Sequence, residues 1–143
     1  MTTHRPGMSR RRRSARRGAA AIETALVFSI CLIPLLFAIM DYSWMFLQKS
    51  NVELATRAGL REGVTVSQAT CDAVAVAKAR EVMNELGLDG DGATVTPTHV
   101  GTSPTETLTL DITSPYTPLI GFPGMPFPAN LSASGNMLLE LQD

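Results

Sequence analysis

Glu23 is the fifth residue after Gly18, in the run Arg17-Gly18-Ala19-Ala20-Ala21-Ile22-Glu23-Thr24. It stands immediately before seventeen uncharged residues, Thr24 to Met40. A lone carboxylate at the edge of an apolar stretch is costly unless a positive group meets it. Cleavage of the chain after Gly18 would supply one. The new α-amine on Ala19 would have a reference pKa near ~8 and be at least half protonated at neutral pH. Glu23 lies about one helical turn further on. When neighbouring copies stack with a stagger, one carboxylate meets the next copy's amine, and the paired charges leave lipid together, which no single copy achieves alone. Such a pairing sets register, as a polar residue does in a coiled-coil seam. The plainer reading leaves Glu23 at a membrane interface, reached by water, with Gly18 an ordinary flexible residue.

Either chemistry needs a membrane helix to hold the glutamate. The uncharged run spans ~26 Å as a helix, at about 1.5 Å per residue. A hydrocarbon core is ~30 Å thick. Ala19 to Ile22 and the stretch from Tyr42 to Leu47 supply the remainder, with Tyr42, Trp44 and Phe46 as an interfacial aromatic belt. Pro34 falls mid-run, where a membrane helix tolerates a kink. Seven arginines (Arg5, Arg10, Arg11, Arg12, Arg13, Arg16 and Arg17) precede Gly18, and no acid does. Five basic and all 13 acidic residues follow, so residues 19–143 carry about −8 within a chain of net charge −1. Short basic segments stay cytoplasmic. The expected organisation of the 143 residues is a basic cytoplasmic leader, 1–18, a transmembrane helix, 19–47, and an exported domain, 48–143. The expected location is the cell membrane, single-pass, with the N-terminus cytoplasmic and the C-terminal domain extracytoplasmic.

Two rivals fit less well. Nucleic-acid binding by the arginines lacks interleaved aromatic residues, and a membrane segment follows directly. A cleaved secretory signal would have a shorter apolar core and a small-x-small site. Here Asp41-Tyr42-Ser43-Trp44 follows instead.

Beyond Leu47 the helix is expected to continue through Asn51–Glu62. Val52, Ala55 and Gly59 share one face, and Arg57 and Arg61 lie toward solvent. Gly63 followed by Val64-Thr65-Val66 marks a stop or bend. A second helix is read from Ser67 or Thr70 to Leu86, with Cys71, Ala75, Ala79, Val82 and Leu86 as its apolar stripe. Gly87 is its stop, and Asp89-Gly90-Asp91-Gly92 a tight turn. Leu108, Leu110 and Ile112 alternate with Thr107, Thr109 and Asp111 as a strand. Leu131, Ala133, Met137, Leu139 and Leu141 make another, with Gly135 read as a bulge. Thr94–Val100 is a weaker strand, demoted to an edge by Pro97. The fold class is therefore α+β: a long N-terminal transmembrane helix extending into a small domain with a second helix and a short antiparallel sheet of about three strands. Residues 114–128 hold five of the nine prolines. They are either an exposed loop presenting Phe122, Met125 and Phe127 to a partner, or a connection folded back over the core or against the membrane.

No enzyme activity is expected, because no nucleophile–base pair, metal set or phosphate loop stands out. No cofactor and no metal is expected. His4 and His99 are too few and too far apart for a cluster by spacing, and the Asp89–Gly92 turn lacks the further carboxylates of a calcium loop. Cys31 and Cys71 lie on different sides of a membrane boundary. Cys71 is read as a small buried residue of the helix stripe, the alternative being a bridge to another subunit.

From Arg17 to about Gly63 the chain resembles the TadE-like family, the minor pilin-like (pseudopilin) proteins of the tight-adherence pilus system. The matching residues are Arg17-Gly18-Ala19-Ala20-Ala21-Ile22-Glu23, the apolar helix with Pro34, and Asp41 at its exit. Asn51, Ala55, Arg57-Ala58-Gly59 and Arg61-Glu62-Gly63 follow. The resemblance implies assembly or anchoring of a tight-adherence type IV pilus used in adhesion. It implies processing by a prepilin peptidase, with Gly18 before the cut, Ala19 the new N-terminus and Glu23 the residue of subunit assembly. It also implies as partners the major pilin, other minor pilins and an inner-membrane assembly platform. No nucleic-acid partner is expected. Tight-adherence pilins best defined by motif carry Tyr after the glutamate, where this chain has Thr24. A second function also fits the residues: a single-pass membrane-anchored extracytoplasmic binding or sensor domain that is neither processed nor polymerised.

Overall fold

A computed structural model describes residues 9–101, 106–121 and 126–139. The chain divides into two compact units, Met1–Ile39 and Met40–Asp143. One helix, α1, runs Ser9–Val64 through both. It begins within the arginine segment, which sequence reading had left without structure, and it passes Pro34 unbroken.

In the first unit the side chains from Gly18 to Leu36 are exposed or, at Pro34, half-buried. Ile22, Leu26, Val27, Phe28, Ile30 and Leu35 are spread around the whole helix axis and are all exposed. The two hydroxyls turn back onto their own helix: Thr24 Oγ1 donates to the Ala20 carbonyl and Ser29 Oγ to the Ala25 carbonyl, each at 2.9 Å. Such back-bonding satisfies a polar group where water is absent.

The second unit holds the rest of α1, then α2 (Cys71–Glu85), β1 (Thr94–Val100), β2 (Thr107–Pro115) and β3 (Asn130–Leu138). The sheet is antiparallel in the order β1-β2-β3. Leu108, Leu110 and Ile112 of β2 are fully buried on one face, while Asp111 and Thr113 of the other are exposed. That alternation is what a sheet covered on one side requires. The helices supply the cover. Val52, Ala55 and Leu60 of α1 and Ala75, Ala79 and Met83 of α2 join the β2 leucines in the core. Each large apolar side chain removed from water contributes about 1.5–3 kcal/mol. Pro97 lies in β1, paired with Leu110 at the edge of the sheet, as its missing N–H demands.

Small residues bring the elements close. A Cβ at Gly59 would stand 2.7 Å from the Ala75 carbonyl oxygen, and one at Gly63 2.8 Å from Ala75 Cβ. Helix α2 ends in a Schellman arrangement. Leu88 N–H donates to the Met83 carbonyl and Gly87 N–H to that of Asn84, and Gly87 takes φ 76°.

Two expectations need correction. The buried stripe of α2 is Cys71, Ala75, Ala79 and Met83. Val82 is half-buried and Leu86 exposed: the buried stripe steps by four residues, turning about 40° around the axis each time, and Leu86 already caps the helix. Gly135 is no bulge: it pairs in unbroken register with Leu110. Its missing side chain admits α1, since a Cβ there would meet Leu60 Cδ1 at 2.9 Å and Thr56 Cγ2 at 3.2 Å. Leu141 lies outside the described residues.

Candidate functional site

Gly18, Ala19 and Glu23 are all helical and exposed. Nothing lies within 4 Å of where a Gly18 Cβ would be, so packing does not require a glycine there. A glycine inside a helix costs about 1 kcal/mol relative to alanine. Among the described residues none forms an ion pair with Glu23. The carboxylate stands one turn before apolar side chains that are exposed. The helix is long and apolar enough to cross a membrane, and only 6% of its most hydrophobic window is buried within the molecule. A helix apolar all round must be covered by something, and this one fits a membrane anchor.

Asp41 opens the second unit and is fully buried. Its carboxylate accepts the Ile120 N–H at 2.8 Å and the Gly121 N–H at 3.2 Å, and its carbonyl accepts the Tyr116 hydroxyl at 3.3 Å. Gly121 takes φ 67°, a left-handed conformation open to glycine. Phe127 meets Tyr42 and Tyr116 in tilted ring contacts at centroid distances of 5.5 and 6.1 Å. The proline-rich connection therefore folds back onto α1, with Asp41 as its anchor. Of the side chains read as a partner surface, Phe127 is half-buried in this contact. Phe122 and Met125 lie outside the described residues. Burial without partners would make Asp41 expensive; the two amides offset that cost.

A further cluster gathers at the start of α2. Cys71 and Asp72 are its first two residues. His99 shares the inward parity of Val95 and Pro97 in β1, and Glu106 that of Leu108 and Leu110 in β2. His99 Nε2 lies 2.8 Å from Asp72 Oδ1 and its Nδ1 2.9 Å from Glu106 Oε1. Cys71 Sγ stands 3.9 Å from His99 Nε2 and donates to the Gln68 carbonyl at 3.2 Å. The hydrogen bond to Asp72 raises the His99 pKa above its ordinary value, partial burial works against it, and Glu106 adds to the rise. Burial and the neighbouring Asp72 push the Cys71 thiol up. Both cysteines are free, Cys31 exposed and Cys71 buried.

The stretch from Gly18 through the Asp41 anchor to the α1 residues that meet the sheet is one contiguous family signature. Residues 18–61 match the family described as TadE-like protein. No curated protein and no solved structure matches the chain. The TadE-like segment begins at Gly18, takes in Glu23, Pro34 and Asp41, and ends at the exposed Arg61. Within it, sequence reading singled out Gly18 and Glu23. The role of Asp41 was missed because its partners lie 79 and 80 residues away. A charged residue directly after an apolar run, with a glycine-containing loop far downstream, was the available signal.

Proposed function

We propose that this chain is a pilin-like membrane protein of the tight-adherence pilus system, acting in assembly or anchoring of the fibre. The observation that carries the reading is Glu23: a single exposed carboxylate, five residues past Gly18, at the head of an apolar helix that its own molecule leaves uncovered, inside the TadE-like segment. In this reading the arginine leader stays cytoplasmic, a prepilin peptidase cuts between Gly18 and Ala19, and the second unit lies outside. The α-amine of Ala19 on one subunit then neutralises Glu23 on its neighbour, the major pilin or another minor pilin. The exposed aliphatic side chains pass from lipid to packed contact with sister helices. A glycine with no packing role suits a cut site, because the helix is easiest to unwind where its propensity is poorest.

One observation favours the other function, an anchored binding or sensor domain that keeps its leader. Helix α1 runs unbroken from Ser9 through Gly18, so a peptidase must open it. Mass spectrometry of the full-length protein purified from its native membrane decides. A mature chain starting at Ala19 supports processing and assembly. An intact chain still carrying Arg5 to Arg17 assigns it to the unprocessed anchor.

A further inference from the structure

The cluster at the start of α2 plays no part in processing or in the Glu23 pairing. Three different ligand types meet there. Cys71 Sγ and Asp72 Oδ1 are 3.7 Å apart, Cys71 Sγ and His99 Nε2 3.9 Å, and His99 Nε2 and Asp72 Oδ1 2.8 Å. A tetrahedral zinc ion holds sulfur at about 2.3 Å and nitrogen or oxygen at about 2.0–2.2 Å, which sets ligand atoms roughly 3.3–3.6 Å apart. The observed edges bracket those lengths. An ion would draw the sulfur in by a few tenths of an ångström and open the nitrogen–oxygen edge by about half an ångström, on the scale of ordinary side-chain adjustment.

We propose that Cys71, Asp72 and His99 form a three-ligand site for a divalent cation of the zinc type, with a fourth position left for water. The groups that would hold the histidine ring in place are already present. Glu106 Oε1 sits 2.9 Å from His99 Nδ1, and Gln68 Nε2 donates to Glu106 Oε2 at 2.6 Å. A carboxylate on Nδ1–H fixes the tautomer whose Nε2 lone pair faces the metal. The mix of thiolate, imidazole and carboxylate selects a borderline-soft ion. Calcium and magnesium prefer all-oxygen sets. Access is from the solvent side, where the Asp72 and His99 side chains are 51% and 28% exposed. A nucleophilic Cys71 is the weaker use of the same residues: the residue is fully buried, and Asp72 already holds the histidine nitrogen that would take its proton. Binding would release the Cys71 proton and any proton on His99 Nε2 to solvent. The ion would fasten the start of α2 to β1, which the His99–Asp72 contact already links.

Titration of the full-length reduced protein in detergent micelles with Co²⁺ tests the site. The expected result is one ion per chain, with a thiolate-to-cobalt charge-transfer band in the near ultraviolet, the visible bands of a four-coordinate ion, and displacement by Zn²⁺. Cys71→Ser should abolish the charge-transfer band, while Cys31→Ser should leave it. His99→Ala or Asp72→Asn should weaken Zn²⁺ binding by about 100-fold or more, and Glu106→Gln by about 10–100-fold. Circular dichroism checks that each variant is folded. Absence of the charge-transfer band in the unmodified protein overturns the proposal without recourse to any variant. A band that survives Cys71→Ser overturns it equally.

Discussion

Replacing a helix-interior glycine by alanine ordinarily stabilises a protein by about 1 kcal/mol. At Gly59 the expected sign is the opposite. The added Cβ would stand 2.7 Å from the Ala75 carbonyl oxygen, 3.0 Å from Ala79 Cβ and 3.0 Å from Leu110 Cδ2. The leucine methyl can rotate away. The carbonyl belongs to the backbone of α2 and moves only if the helix moves. Overpacking of this kind costs about 1–3 kcal/mol, so Gly59→Ala should destabilise the second unit by about 1 kcal/mol net. For a domain of this size that lowers Tm by about 4–8 °C. Gly63→Ala should behave alike, but its closest contact is a side-chain atom, Ala75 Cβ, at 2.8 Å. Ala75→Gly removes that atom. A double-mutant cycle should therefore show favourable coupling between Gly63→Ala and Ala75→Gly, and little between Gly59→Ala and Ala75→Gly. Gly18→Ala, with open space around it, is the control and should leave the Tm of this unit unchanged. The assay is thermal unfolding of the full-length protein in detergent, followed by circular dichroism. A rise in Tm for Gly59→Ala would mean that propensity wins and that α1 and α2 do not pack at this point.

Three other substitutions probe separate features. Asp41→Ala removes the acceptor of two amides and should release the connection between Tyr116 and Ala129, read as faster proteolysis there. Hydrogen bonds to a charged group contribute about 1.5–3 kcal/mol each, and relief of the buried charge offsets part of that. Undiminished protection would show that the aromatic contacts of Phe127 suffice. Gly87→Ala places a Cβ on a residue at φ 76° and should cost about 1–2 kcal/mol, seen as a Tm several degrees lower. Glu23→Ala should leave membrane insertion intact and reduce surface piliation. Normal pilus counts by electron microscopy would refute the charge pairing.

Local pattern carried much of the fold. The period-two alternation of Leu108, Leu110 and Ile112 gave the central strand, and Pro97 its edge neighbour, because both signals act within a few residues. Gly87 marked the end of α2 for the same reason. Where sequence reading failed, the deciding partner was remote. Gly135 reads as a bulge when only its own strand is considered. It is a flat pairing site once Leu60 and Thr56 of α1 press on it. Met83 takes the buried position assigned to Val82 because the sheet, not the helix pattern, decides which edge of the stripe is covered. Of the candidate sites, Gly18 and Glu23 stand out as proposals from spacing alone. The Cys71, Asp72 and His99 cluster does not, since the histidine comes 27 residues after the aspartate and only antiparallel pairing returns it to the start of α2. Strand parity held the clue: 95, 97 and 99 in β1 point the same way as 106, 108 and 110 before and within β2.

The TadE-like segment is physically two things joined in one helix. From Gly18 to Leu36 its apolar side chains are exposed, so substitutions there act on whatever surrounds the helix rather than on the core of the second unit. From Asp41 to Arg61 the inward positions are spent on the molecule's own core. Asp41 holds the proline-rich connection, Val52 and Ala55 are fully buried, and Gly59 admits α2. One residue pattern therefore runs from an exposed apolar surface into the molecule's own core. The two carboxylates bounding the apolar run differ accordingly: Asp41 has its amides in the same chain, whereas Glu23 has no described ion-pair partner and must find its counter-charge elsewhere or stay in water. On the proposed reading, that counter-charge is the Ala19 amine of a neighbouring subunit.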